Sequence, residues 1–146
     1  LLVFSGKRRM ARGILETVVL RYLRGEPAVL AARERLVEGA EAMAVALRTG
    51  DAEAFVHRLD EYRHLKATVD PASVSNDLTG LVASMGRGVE AWSPAGAGGG
   101  GFLYVVFREP AAARAAAARL ARRPPYPLAR AFPFEPDDEG LRVAVL

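Results

Sequence analysis

Glycine fills five of the six positions in Gly96-Ala97-Gly98-Gly99-Gly100-Gly101, a stretch caught between two apolar runs. Val89 and Ala91-Trp92 precede them, and Phe102-Leu103-Tyr104-Val105-Val106-Phe107 comes after. The second run, rich in aromatic and β-branched residues, is among the strongest strand signals in the chain. Glycine loses more backbone entropy on folding than any other residue, so such a cluster is costly to order. It is useful where φ must be positive or where another group approaches main-chain N–H groups closely. An anionic phosphate is the commonest such group. The alternative is a tight connection between two strands with nothing bound.

The periodicity on either side of this loop changes type. Residues 1–4 read as a short buried strand ended by Ser5-Gly6, with Ser5 suited to cap the first helix. Over residues 7–24, Ile14, Leu15, Val18, Val19, Tyr22 and Leu23 recur at helical spacing. Gly25-Glu26-Pro27 stops that helix, and Pro27 suits the first turn of a second, over residues 27–48. Gly50 can end it and Asp51 can cap a third helix carrying Phe55, Val56, Leu59, Tyr62 and Leu65 on one face. Residues 70–76 read as a loop, with Ser75 or Asn76 capping a fourth helix that holds Leu78, Leu81, Val82 and Met85.

From residue 89 the period is that of strands: 89–94, then the glycine loop, then 102–108. An alanine-rich helix over 111–122 leads to an extended or turn segment at 124–127. A strand over 129–134, a polar turn at 135–140 and a strand over 141–146 complete the chain, the last two strands pairing as a hairpin. Strands joined by a tight loop are antiparallel neighbours. The order therefore predicts an α+β fold, a mostly antiparallel sheet with helices packed on one face.

Composition narrows the chemistry. With 146 residues, 51% hydrophobic and 25% charged, the chain fits one globular domain with a core of useful size. It has no cysteine, which excludes disulfides, thiolate metal sites and cysteine nucleophiles, and is compatible with a cytoplasmic location. No apolar run approaches the roughly 20 residues of a membrane-spanning helix. The chain opens directly on strand-like residues without an initiator methionine, which points to a fragment of a longer protein.

The net charge is +3, carried almost wholly by arginine, since Lys7 and Lys66 are the only lysines. That excess suits phosphate-bearing small molecules and falls short of a dedicated nucleic-acid binder. His57 and His64 are seven apart, whereas a shared metal on one helix needs a spacing of three or four. No serine, histidine and acid set suggests a hydrolase, and Asp137-Asp138-Glu139 reads as solvated turn charge. Lys7-Arg8-Arg9 with Arg12 sets cations at a helix N-terminus, where they are mildly unfavourable. Two readings fit: an anion site completed by Ser5 and Gly6, or a solvated basic face.

Gly96 to Gly101, with a strand on either side, resembles the third, glycine-rich motif of the GHMP kinases. Val3-Phe4-Ser5-Gly6-Lys7-Arg8-Arg9-Met10-Ala11 is similar to the strand–Thr-Gly-x-x-Arg–helix opening of the sugar-kinase branch, which includes L-fucokinase and the heptose-phosphate kinases. Leu59-Asp60-Glu61-Tyr62 through Lys66, and Ser75-Asn76, resemble the same branch. The likeness extends over nearly all of the chain, as the C-terminal domain of such a kinase, and implies a ferredoxin-like sheet backed by helices. It implies that Gly96, Ala97, Gly98, Gly99, Gly100 and Gly101 form a nucleotide phosphate loop. It also implies that Ser5, Gly6 and Arg9 face the sugar or its phosphate. Ser5 stands where the branch usually has Thr, and Ala95 where galactokinase-like members carry Ser or Thr.

The family's second motif, its magnesium ligand and its catalytic Asp belong to an N-terminal half that these residues do not contain. The resemblance thus implies ATP and Mg as cofactors, bound mostly by that absent half, and no catalytic or metal-ligating residue here. The partners implied are a sugar, ATP and the N-terminal kinase domain, without nucleic acid or membrane. Two rival expectations are a non-catalytic ferredoxin-like binding or regulatory module and an RNA-binding domain, the latter lacking an exposed aromatic pattern for stacking on bases.

Overall fold

A computed structural model describes residues 1–7, 11–135, 139, 140 and 143. Its elements run in the order strand β1 (Leu2–Phe4), helices α1 (Ala11–Leu23), α2 (Pro27–Thr49), α3 (Ala52–Val69) and α4 (Asn76–Ser84), strands β2 (Val89–Pro94) and β3 (Phe102–Phe107), helix α5 (Pro110–Arg122) and strand β4 (Arg130–Phe132). The punctuation acts as its chemistry requires. Pro27 opens α2, Gly50 ends it at φ 69°, and the Asp51 carboxylate accepts from the Ala54 N–H at 2.9 Å. Ser75 occupies the N-cap position of α4 without a side-chain capping bond. Within residues 70–76 the chain makes a single 3-10 turn, Pro71–Ser73, capped by Asp70.

The four strands form one antiparallel sheet in the order β2-β3-β1-β4. This is a ferredoxin-like α+β arrangement. β3 lies between the parallel strands β1 and β2, and β1 between the parallel strands β3 and β4. The expected hairpin partner over 141–146 falls mostly outside the described residues.

Register assigns the two faces, because directly opposed residues project to the same side. Val3, Leu103 and Ala131 share a row, as do Trp92 and Val105. These point to α4 and α5, where Leu78, Leu81, Val82, Met85, Ala116 and Leu120 complete the core. The alternate residues put Phe4, Phe102 and Arg130 in one row of the opposite face, and Leu2, Tyr104 and Phe132 in the next. α3 packs against β2, and α2 packs on α3.

The expected want of exposed aromatics is not met. Phe102, Tyr104, Phe132 and Phe134 are 40%, 43%, 42% and 53% exposed, with the Phe4 and Phe102 rings 5.2 Å apart between centroids. Strand alternation turns these rings away from α4 and α5, and a reading of apolar runs as buried strands does not separate the two faces.

Leu103 is fully buried at the centre of the helix-covered face. Replacing it with Ala is expected to lower the unfolding free energy by about 2–5 kcal/mol. Urea denaturation monitored by circular dichroism measures this, and a loss under about 1 kcal/mol would place the core elsewhere.

Candidate functional site

The hairpin between β2 and β3 has a fixed backbone. Gly96, Gly98, Gly99 and Gly101 take φ of 64°, 88°, 74° and 72°, a region that L side chains rarely enter. Gly98 has a second reason to lack a side chain: a Cβ there would lie 2.4 Å from the Ser73 carbonyl oxygen. The Gly99 N–H donates to that same oxygen at 2.7 Å, and the Gly101 N–H donates to the Lys7 carbonyl at 2.8 Å. The group that crowds this main chain is thus, at Gly98, the backbone of the 3-10 turn. The N–H groups of Gly96, Ala97, Gly98 and Gly100 make no hydrogen bond among the described residues. Gly96 is exposed, so the loop meets solvent.

Ser5, Gly6 and the loop are brought together. The Ser5 N–H donates to the Gly101 carbonyl at 2.8 Å. Ser5 itself is fully buried, and its hydroxyl lies 3.2 Å from the Lys7 nitrogen and 3.3 Å from the Lys7 oxygen. It therefore shapes the turn after β1 and presents no hydroxyl to a ligand. Gly6 lets the chain pass against Ala129, whose nitrogen would lie 2.9 Å from an added Cβ. Arg9, with Arg8 and the Arg12 side chain, lies outside the described residues.

Lys66 holds this hairpin with its side chain, whereas Lys7 meets it through its backbone carbonyl. The Lys66 ammonium donates to the Pro94 carbonyl at 3.1 Å and the Gly96 carbonyl at 2.5 Å, and sits 5.2 Å from the centroid of the Tyr62 ring. Burial pushes its pKa down. It places a partly desolvated positive charge at the base of the glycine loop. Lys7 pairs with Asp77 and lies 4.4 Å from the centroid of the Tyr126 ring, whose hydroxyl donates to Asp77 at 3.0 Å. The Lys7 and Tyr126 hydrogen bonds hold the Asp77 carboxyl below its ordinary 3.8, and Asp77 raises Lys7 above 10.5.

Beside the hairpin lies a cleft of about 730 Å³, bounded by Pro94, Ala95 and Gly96. Met43, Phe55, Tyr62, Tyr104, Val106 and Phe134 supply its apolar wall. Its polar wall is an Arg35–Glu61–Arg58 cluster, in which Arg58 donates to Glu61 at 2.7 Å and Arg35 takes the other carboxylate oxygen. These residues are not legible as a site in the sequence, because α2 and α3 show only alternating charges and apolar spacing. Among the described residues no three His, Cys, Asp or Glu side chains gather as a metal site. No described helix is long and apolar enough to cross a membrane. The chain matches no family model and no curated protein significantly.

Gly98→Ala adds both a clash and an unfavourable φ, so it is expected to cost roughly 2–4 kcal/mol. Gly96→Ala meets open space and is expected to cost only about 1 kcal/mol. Equal costs by urea denaturation would remove the Ser73 contact as the reason for Gly98. The Lys7–Asp77 pair gives a pH signature. Its carboxylate contribution is present above about pH 4 and lost as acid titrates the depressed Asp77, and its ammonium contribution is lost above about pH 10.5. Asp77→Asn should therefore be less stable than the native chain at about pH 7, and the gap should close as acid titrates the depressed carboxyl. A gap that persists in acid would assign the effect to something other than charge.

Proposed function

We propose that this chain is the C-terminal domain of a GHMP-type sugar kinase, of the fucokinase kind, which transfers the γ-phosphoryl group of ATP to a sugar hydroxyl. The observation that carries this reading is the glycine hairpin. Its backbone is held from three sides while the N–H groups of Gly96, Ala97, Gly98 and Gly100 stay unclaimed among the described residues, with the Lys66 ammonium at its base. Oriented amides beside a fixed positive charge suit the phosphate tail of a nucleotide. The ferredoxin-like sheet agrees with the fold that the resemblance implies.

Phosphoryl transfer depends on positioning and charge stabilisation more than on covalent chemistry by the protein. In this reading residues 96–101 shape the phosphate end of the cleft between two domains, and Ser5 and Lys7 fix the hairpin by holding Gly101. The magnesium ion neutralises phosphate charge when bound. The resemblance puts its ligands and the phosphoryl-transfer base in the N-terminal domain, and among the described residues no His, Cys, Asp and Glu cluster could hold a metal.

The test joins this domain to the coding sequence upstream of Leu1. A Pro-x-x-x-Gly-Leu-x-Ser-Ser-like loop is expected there, and the longer polypeptide should phosphorylate a hexose or heptose with ATP and magnesium. The 146-residue chain alone should bind ATP weakly and turn over nothing. In the longer enzyme Gly96→Ala, the mildest change in the loop because its Cβ meets open space, should lower kcat with the fold retained. Sugar phosphorylation by the isolated chain, or an unchanged kcat in that variant, defeats the reading.

A further inference from the structure

The cleft between the α2–α3 pair and the outer face of β3 has a built polar wall that the kinase reading does not use. We propose that it binds a small organic anion with a flat aromatic body, the ring lying among Tyr62, Tyr104 and Phe134 and the carboxylate or phosphate held by Arg58 and Arg35.

Three observations carry this. The first is size: about 730 Å³ lies inside the span of roughly 300–1,000 Å³ typical of small-molecule sites. The second is the wall itself, which brings aromatic rings from separate segments to one cavity. Phe55 and Tyr62 come from α3, Tyr104 from β3, and Phe134 from beyond β4, with the Tyr104 and Phe134 rings set edge-on at 6.0 Å. Such an arrangement accepts a planar ring by stacking and edge contacts.

The third observation is charge. Two guanidinium groups share one carboxylate, and each takes a different oxygen of Glu61. Both arginines hold Glu61 well on the ionised side, so the cluster carries one uncompensated positive charge. All three side chains line the cleft, and the two cations are its more accessible members. The Glu61 side chain is 18% exposed, whereas Arg58 and Arg35 are 40% and 60% exposed, so an incoming anion reaches the cations more readily than the carboxylate. One N–H of each guanidinium is committed to Glu61, which leaves the rest of each fork for a carboxylate or phosphate. Elsewhere on the rim the charges balance more closely. Arg108 is bonded to Glu90 at 2.6 Å and also lies near Glu109.

Of residues 96–101 only Gly96 lines this cleft, so anion binding here and the kinase reading can fail separately. The experiment is a titration of the ¹⁵N-labelled 146-residue chain with 1-naphthoate, 1-naphthyl phosphate and the neutral 1-naphthalenemethanol. Saturable shifts are expected at the amides of Leu59, Tyr62 and Tyr104. Anions should bind about tenfold tighter than the alcohol, the size of one charge-assisted hydrogen bond. The two anions distinguish carboxylate from phosphate as the group preferred.

Arg58→Gln should weaken anion binding about tenfold and leave the alcohol unchanged. Glu61→Gln should strengthen anion binding severalfold by releasing both guanidinium groups, an effect opposite to that of a merely structural carboxylate. Should Arg58→Gln fail to fold, the Glu61 variant and the anion-to-alcohol ratio decide. Equal affinity for anion and alcohol, weaker binding in Glu61→Gln, shifts centred on Phe4 and Phe102, or no saturable shift would each overturn the proposal.

Discussion

The contact between the Ser73 carbonyl and Gly98–Gly99 ties together parts of the chain that are far apart in sequence. It requires a bare Cα at one residue and an N–H donor at the next. Ser73 belongs to the turn between α3 and α4, so this junction sets where both helices sit relative to the sheet. The Gly101 bonds to Ser5 and Lys7 do the same for the end of β1. A connection that elsewhere joins only two strands here gathers the ends of three segments.

From this junction the molecule divides into two unlike halves. On one side of the sheet, α4 and α5 close a conventional apolar core around Leu103 and Val105. Ala116 is completely buried there, and its short side chain lets α5 lie close to the strands. On the other side, rings on β1, β3 and β4 stay partly open to solvent, while α3 packs against β2 with α2 on its back. The hairpin and the cleft both sit where these halves meet, and a loop placed there is held by a rigid frame yet accessible.

Much of the fold is legible in the sequence because its elements are long and punctuated. The stops at Gly25-Glu26-Pro27 and Gly50-Asp51, and the change of period at residue 89, locate helices and strands to within a residue or two. The glycine cluster is legible as a constrained loop. The identity of the crowding group is not, since Ser73 lies 25 positions before Gly98 and nothing in its neighbourhood marks a close approach. Ser5 reads as a capping or ligand-facing hydroxyl, while the fold turns it inward onto Lys7. The cleft is hidden for a different reason: Arg35, Arg58 and Tyr104 come from three elements, and their meeting depends on how the helix pair stands over the sheet.

Pro94 gives the sheet a further property. It ends β2, the outermost strand among the described residues on that side, and as a proline it has no N–H to offer a neighbour. Its carbonyl already receives the Lys66 ammonium. An incoming strand from another molecule would find no donor at Pro94 and an acceptor already engaged by Lys66. The same lysine that steadies the loop thereby guards the sheet against edge-to-edge self-association.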